Sequence, residues 1–233
     1  MCTLTIHQNR DSLTVTMNRD EKKERPGEIP PYKWPDSDFW APQDKKANGT
    51  WFGVNEQGRV VCLLNGYVAK DVTNNGSSSR GELVPRILQS DDVNLELKQL
   101  EHSCEKYNSF RLFTIENGML ISCEWTGEEY NQNEEPLNED YFYTSSSYEQ
   151  DKVQLYRRER YNQWQKNGKS YECNLPQIHL HKNEENSAYG VLMDRPDACT
   201  KSITQYCVNN NQKVMRYWVD PHNDLTPTKE FVF

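Results

Sequence analysis

Residues 2–8 and 12–17 alternate apolar with polar: Leu4 and Ile6, then Leu13, Val15 and Met17, are separated by Thr, His and Ser. That period of two is the signature of paired strands. Asn9-Arg10-Asp11 supplies the turn, so the pattern predicts an N-terminal hairpin. A second hairpin is predicted through 50–55, the turn Glu56-Gln57-Gly58, and 59–65. A third runs through 109–115 and 119–125 around Glu116-Asn117-Gly118, where Asn-Gly is the strongest short-range turn signal. Residues 141–144, 187–193, 199–208 and 212–219 read as further strands, the last two joined by Asn209-Asn210-Asn211.

Helical spacing appears at 81–88, at 91–106 and at 149–165. In the second, Val93, Leu95, Leu97 and Leu100 form an apolar face, with Ser90 or Asp91 as the cap. In the third, Val153, Tyr156, Arg160 and Trp164 share a face. Residues 18–49 carry five prolines (Pro26, Pro30, Pro31, Pro35, Pro42) and read as irregular. Such a long loop in a compact domain is usually functional or unstructured. Its aromatics, Trp34, Phe39 and Trp40, argue that it packs down, either lining a substrate cleft or covering a sheet edge. Residues 74–79 read as a polar loop, 127–140 as an acidic loop, and the C-terminal tail as irregular. There is no internal repeat and no clean linker. Strands, helices and strands again predict a layered α+β fold with largely antiparallel sheets, in a single domain over 1–233.

Composition narrows the function. Only 35% of the 233 residues are hydrophobic, but 6 Trp, 13 Tyr and 7 Phe make a substantial core feasible. No apolar run reaches the roughly 18 residues needed to span a bilayer, and no signal-peptide pattern opens the chain. A cytoplasmic protein is expected. The net charge of −8 gives no basic stripe for nucleic acid. Arg157-Arg158-Glu159-Arg160 is interrupted by acid and reads as a solvated helix face or a packing surface. Seven cysteines, an odd number without a CxxC pair, argue against a disulfide framework and a structural zinc site, leaving mostly buried reduced thiols. His179 and His181 would share a strand face if extended, yet no third ligand stands at a convincing spacing. No metal and no cofactor are expected, and nothing sets the oligomeric state.

Cys2 is the candidate for chemistry. Removal of Met1 would leave a thiol and a free α-amine on one residue. The thiol is nucleophilic as its thiolate, with a free pKa of about 8.5. The amine, at about 7.7–8.0, is matched to general-base work near neutrality. N-terminal nucleophiles act in this way. On position alone, a small buried residue at the head of a strand is the favoured reading.

Asn18-Arg19-Asp20-Glu21 closes the first hairpin, with Arg25-Pro26 after it. With Met1-Cys2, this resembles the family named NRDE after that tetrapeptide, whose eukaryotic members are called transport and Golgi organisation protein 2. Gly49-Thr50-Trp51-Phe52-Gly53, Ser79-Arg80-Gly81-Glu82-Leu83-Val84, Thr144-Ser145-Ser146-Ser147 and Arg195-Pro196-Asp197-Ala198-Cys199-Thr200 continue the likeness along nearly the whole chain. That family in turn resembles the cysteine N-terminal nucleophile (Ntn) hydrolases, including choloylglycine hydrolase and penicillin V acylase. The resemblance implies a four-layer αββα sandwich, two mainly antiparallel sheets between helical layers, with Cys2 at the end of a central strand.

It also implies roles. Cys2 would be the nucleophile and Arg19 would favour its thiolate. Asp20, or Glu21 in its place, would orient the α-amine. Asn65, ending the second hairpin at Leu64-Asn65, would donate to the oxyanion. Ser145 stands where the hydrolases carry an Asn donor. Arg80, before a helix, would meet an anion or pair with Glu82. Asp194 and Lys201 depart from the family pattern, so the role of the His usual at the former position does not transfer. The implied activity is hydrolysis of a non-peptide C–N amide, or a thioester, in a small acyl substrate. The alternative is a carrier of the same fold for haem, lipid or acyl-coenzyme A, with Cys2 or His7 as conceivable haem ligands.

Overall fold

A computed structural model of the chain describes residues 2–67, 76–167, 174–210 and 212–233. Parts of two predicted turns, 74–79 and 209–211, lie outside the described residues, as do Met1 and Cys173. The chain forms two compact units, Met1–Arg25 with Asn138–Phe233, and Pro26–Leu137.

It opens with β1 (Cys2–Gln8) and β2 (Ser12–Lys22). The second unit follows with β3 (Glu28–Lys33), β4 (Phe39–Asp44), β5 (Phe52–Asn55), β6 (Val60–Asn65), α1 (Leu83–Leu88), α2 (Val93–Glu101), β7 (Phe110–Glu116), β8 (Met119–Trp125) and β9 (Tyr130–Pro136). The first unit resumes with β10 (Tyr141–Ser145), α3 (Gln150–Lys166), β11 (Ala198–Asn209), β12 (Gln212–Val219) and β13 (Lys229–Val232). Each unit holds one sheet: β10-β1-β2-β11-β12-β13 in the first and β3 to β9 in sequential order in the second. Every strand pair is antiparallel.

In the second unit the core mixes aliphatic side chains with Phe39, Tyr107, Phe110 and Trp125. Leu83, Val84, Ile87 and Leu88 of α1, with Val93, Leu97 and Leu100 of α2, bury against Leu63, Phe110 and Leu112 of the sheet. Two motifs meet here. Thr50 N–H donates to Gly81 O at 3.0 Å, and a Cβ on Gly49 would lie 2.6 Å from the Gly81 carbonyl carbon.

Several sequence expectations are corrected. β2 runs on through the Asn18–Glu21 tetrapeptide, because β1 pairs with it as far as Arg19 and β11 pairs with it through Lys22. The proline-rich stretch holds β3 and β4; β3 is an edge strand whose register breaks between Ile29 and Tyr32, where Pro30 and Pro31 sit. Proline is tolerated there because an edge needs fewer ladder donors. The acidic loop contains β9, an edge strand exposed along most of its length. The tail contains β13, paired with β12.

Residues 187–193 form turns, not a strand, and Gln177–Leu180 is a 3-10 turn, so His179 and His181 share no strand face. Asp92 caps α2, its side chain accepting from Leu95 N–H, and Leu95 is exposed. The buried stripe of α3 is Val153, Arg157 and Tyr161, one residue out of the expected phase. Cys207 is disulfide-bonded, whereas Cys2, Cys62, Cys104, Cys123 and Cys199 are free thiols.

Candidate active site

Cys2 heads β1, between β10 and β2. Its register partners are Ser145 on one side and Arg19 on the other. Directly opposed residues share a face of the sheet, so Arg19 and Ser145 flank Cys2 on its own face. The residue is buried, 5% exposed. Its nitrogen, a peptide N–H while Met1 is attached, donates to Ser145 Oγ at 3.3 Å. With Met1 removed, that nitrogen is the α-amine. Burial pushes the Cys2 thiol up; the positive amino terminus and Arg19 pull it down. The Asp20 carboxylate pushes it up, while the Asp20 backbone N–H pulls it down.

Alternation along β2 separates the two acids. Glu21 lies on Arg19's face, Oε2 3.7 Å from Arg19 Nη2. Asp20 lies on the opposite face, where α3 packs. Its Oδ1 accepts from Thr200 Oγ1 at 2.6 Å, and its Oδ2 is 3.7 Å from Arg157 Nη1, both side chains being fully buried. Burial lowers the Arg157 pKa, while Asp20 acts against that shift.

A polar layer spreads from this pair. Arg157 Nη1 donates to Thr3 Oγ1 at 3.2 Å and to Thr144 Oγ1 at 3.1 Å. Its Nε donates to Tyr189 O at 3.2 Å. Thr144 Oγ1 donates in turn to Cys2 O at 3.4 Å, so the Thr3 hydroxyl is the donor in the 2.9 Å contact between the two threonines. Further along, Asn18 Nδ2 donates to His179 O and Val191 O, both at 3.0 Å. That leaves Asn18 Oδ1 as acceptor for His179 Nδ1 at 2.6 Å, and His179 Nε2 as acceptor for the Thr5 hydroxyl at 2.8 Å. The tautomer is thereby fixed as neutral, protonated on Nδ1.

Burial first, and His7 second, hold the His179 pKa down to about 3, against an ordinary 6.5. The unfolded chain binds a proton below pH 6.5 that the folded chain refuses, so stability falls as pH drops through that window. The expected slope is about 1.4 kcal/mol per pH unit between pH 6.5 and 5, before carboxylates titrate strongly. His181, also lowered by burial, adds in the same direction. Denaturant unfolding across that range measures the slope, and a flat profile would show that His179 ionises without unfolding.

The remaining sequence candidates lie in the second unit. Asn65 ends β6 opposite Phe110, half-buried. Arg80 opens a 3-10 turn before α1, its Nη1 donating to Ser109 O at 2.7 Å. Cys2, Arg19, Asp20 and Ser145 are thus together in the first unit. In the Arg195–Thr200 motif, Arg195 forms a bidentate pair with Asp197 over the Tyr148 ring. Lys201 stands at a bulge in β11 and donates to Lys23 O and Arg25 O, while Asp194 pairs with Lys23 at 2.6 Å. His181 Nε2 meets Tyr156 Oη at 3.0 Å.

Sequence reasoning assigned no site role to Thr3, Asn18, Thr144, Arg157 or Thr200, although all but Thr3 stand in motifs or runs it quoted. The available signal for Arg157 was its spacing of four from both Val153 and Tyr161. Among the described residues, no helix is long and apolar enough to cross a membrane.

A family profile described as "Transport and Golgi organisation 2" matches residues 1–219. The bovine (Bos taurus) Transport and Golgi organization protein 2 homolog is 30% identical over 122 residues, covering 48% of this chain and 41% of that protein. The Mus musculus homolog is 29% identical over the same shares. The chain thus spans about two fifths of the length of the curated relatives it matches. Among solved structures, a Caenorhabditis elegans N-acylethanolamine-hydrolyzing acid amidase ortholog superposes with a TM-score of 0.54 at 13% identity, covering 94% of this chain and 100% of that one. An arginine-to-leucine variant of conjugated bile acid hydrolase from Clostridium perfringens gives 0.51 at 12% identity, covering 100% and 96%. At such identity the likeness is one of fold: the α+β, αββα class with two antiparallel sheets that the sequence led us to expect.

Proposed function

This chain belongs to the Transport and Golgi organisation 2 family, and on that footing we propose that it acts as an Ntn-type hydrolase, cleaving a non-peptide C–N amide or a thioester through Cys2 after Met1 is removed. The observation that supports this most is the strand register that sets Arg19 and Ser145 on either side of Cys2. The α-amine takes the thiol proton, and the thiolate attacks the substrate carbonyl carbon, forming a C–S bond. The tetrahedral adduct collapses as the C–N bond breaks, and the ammonium returns its proton to the departing amine. Water then cleaves the acyl-thioester and frees Cys2. For a thioester substrate the leaving group is a thiol instead.

In this reading Arg19 favours the thiolate by charge. Ser145 holds the amine through the contact its Oγ already makes with the Cys2 nitrogen. Asp20 acts as a positioning residue, since its carboxylate is engaged by Thr200 and Arg157.

Intact mass and site-resolved alkylation test the proposal together. The active protein should lack one methionine residue, and a small electrophile should label Cys2 at least about tenfold faster than the other free thiols. Active protein that keeps Met1, or a Cys2 no faster than its fellows, would sink the self-activated nucleophile.

A further inference from the structure

We infer that Arg157 is a positioning residue of the Cys2 centre, clamping from the helix side the three residues that adjoin Cys2, Ser145 and Arg19 in their strands and cancelling the charge of Asp20. This rests on the nucleophile reading above.

The geometry has two faces. On one face Ser145, Cys2 and Arg19 stand side by side across β10, β1 and β2. On the other face Thr144 stands opposite Thr3, whose partner on β2 is Asn18; Asp20, the next residue on that face of β2, lies diagonally from Thr3 and opposite Thr200 of β11. Arg157 reaches three of these: Thr144 Oγ1 at 3.1 Å, Thr3 Oγ1 at 3.2 Å, and Asp20 Oδ2 at 3.7 Å. The Tyr189 and Ala188 carbonyls take Nε and Nη2 at 3.2 and 3.5 Å. One side chain on α3 therefore ties together the three strands that meet at Cys2.

A fully buried guanidinium is costly to desolvate, and its planar fork suits several fixed acceptors at once. A purely structural bolt could be apolar, as its stripe neighbours Val153 and Tyr161 largely are. Charge is required because Asp20 is there. The groups acting on the Cys2 thiol are the amino terminus, Arg19 and Asp20, of which Asp20 opposes the thiolate. Arg157 in turn feels Asp20, Cys2 and Arg195. Paired with Arg157, Asp20 keeps its place beneath the site with much less of its field.

The test is the pH dependence of Cys2 alkylation by iodoacetamide, read site by site on Met1-free full-length protein, with circular dichroism as the check on folding. Arg157→Met should raise the midpoint by about one pH unit, slowing labelling about tenfold near neutrality. Asp20→Asn should lower the midpoint, because it removes the opposing charge and leaves the guanidinium. The double variant should fall within about threefold of the wild-type rate, since the pair is removed as a unit. Arg157→Lys should keep the midpoint, because it keeps the charge. If Arg157→Met does not fold, the order of Asp20→Asn below the double variant still decides. A midpoint unmoved in Asp20→Asn, or equal in Asp20→Asn and the double variant, overturns the inference while leaving a fast wild-type Cys2 in place. A wild-type Cys2 no faster than the other thiols overturns the nucleophile reading, and this inference with it.

Discussion

Replacing Cys2 by alanine is expected to remove turnover of any acyl amide or thioester the protein accepts, by at least about a thousandfold in kcat. The fold should survive. Cys2 takes its place through main-chain pairing to Ser145 and Arg19, which alanine keeps. Only one sulfur is lost from a buried position, a change worth about 1 kcal/mol. Alanine is also small enough to allow Met1 removal, so processing is not confounded. Cys2→Ser sharpens the result. A hydroxyl is far less acidic than a thiol, so an amine of near-neutral pKa cannot ionise it to any useful extent. Its turnover should lie between wild type and alanine. Steady-state kinetics with a panel of acyl amides and thioesters, beside a melting curve for each variant, measures both halves. Undiminished turnover in a folded Cys2→Ala protein would exclude an acyl-Cys2 intermediate.

Gly49→Ala is expected to be a strongly destabilising single-methyl change in the second unit. The new Cβ would fall 2.6 Å from Gly81 C and 2.8 Å from both Gly81 Cα and O, all backbone. Backbone cannot swing aside as a side chain can. The two segments must separate, and the Thr50 N–H bond to Gly81 O goes with them. A loss of about 3 kcal/mol is expected, equivalent to a fall in Tm of roughly 6–12 °C for a chain of this size. Gly53→Ala is the natural control. Its closest neighbour, at 2.5 Å, is Leu88 Cδ1, the mobile end of a side chain, so its cost should be smaller. Thermal melts of the two variants decide the matter, and a Gly49→Ala protein at least as stable as Gly53→Ala would contradict the close approach.

Much of this was legible in the sequence where local chemistry governs. Asn117 and Gly118 both adopt positive φ, 51° and 73°, as the hairpin between β7 and β8 requires. The first hairpin's turn was enough to carry Arg19 back toward Cys2. What escaped were features set by neighbours distant in sequence. β9 and β13 are edge strands with no buried face to impose alternation, and β3 hides behind Pro30-Pro31. Alternation alone puts Asp20 and Glu21 on opposite faces. Only the docking of α3 says which face carries the buried cation. Arg157 belongs to a basic run that reads from sequence as either a solvated helix face or a packing surface, and the choice between them depends on partners drawn from three strands, Thr3, Thr144 and Asp20.

The alternation along β1 and β2 has a consequence for how such a protein can change over time. If Cys2 acts as proposed, reactivity and architecture are written on opposite sides of the same two strands. An exchange at Cys2 would then silence the chemistry while the hydrogen bonds of the threonine, asparagine and histidine layer survive. The converse would not hold, because changes in that layer disturb the strands that carry Cys2 as well. Loss of the proposed activity would be a short step that leaves a sound scaffold behind, and silent and active descendants of one ancestor would differ by few residues.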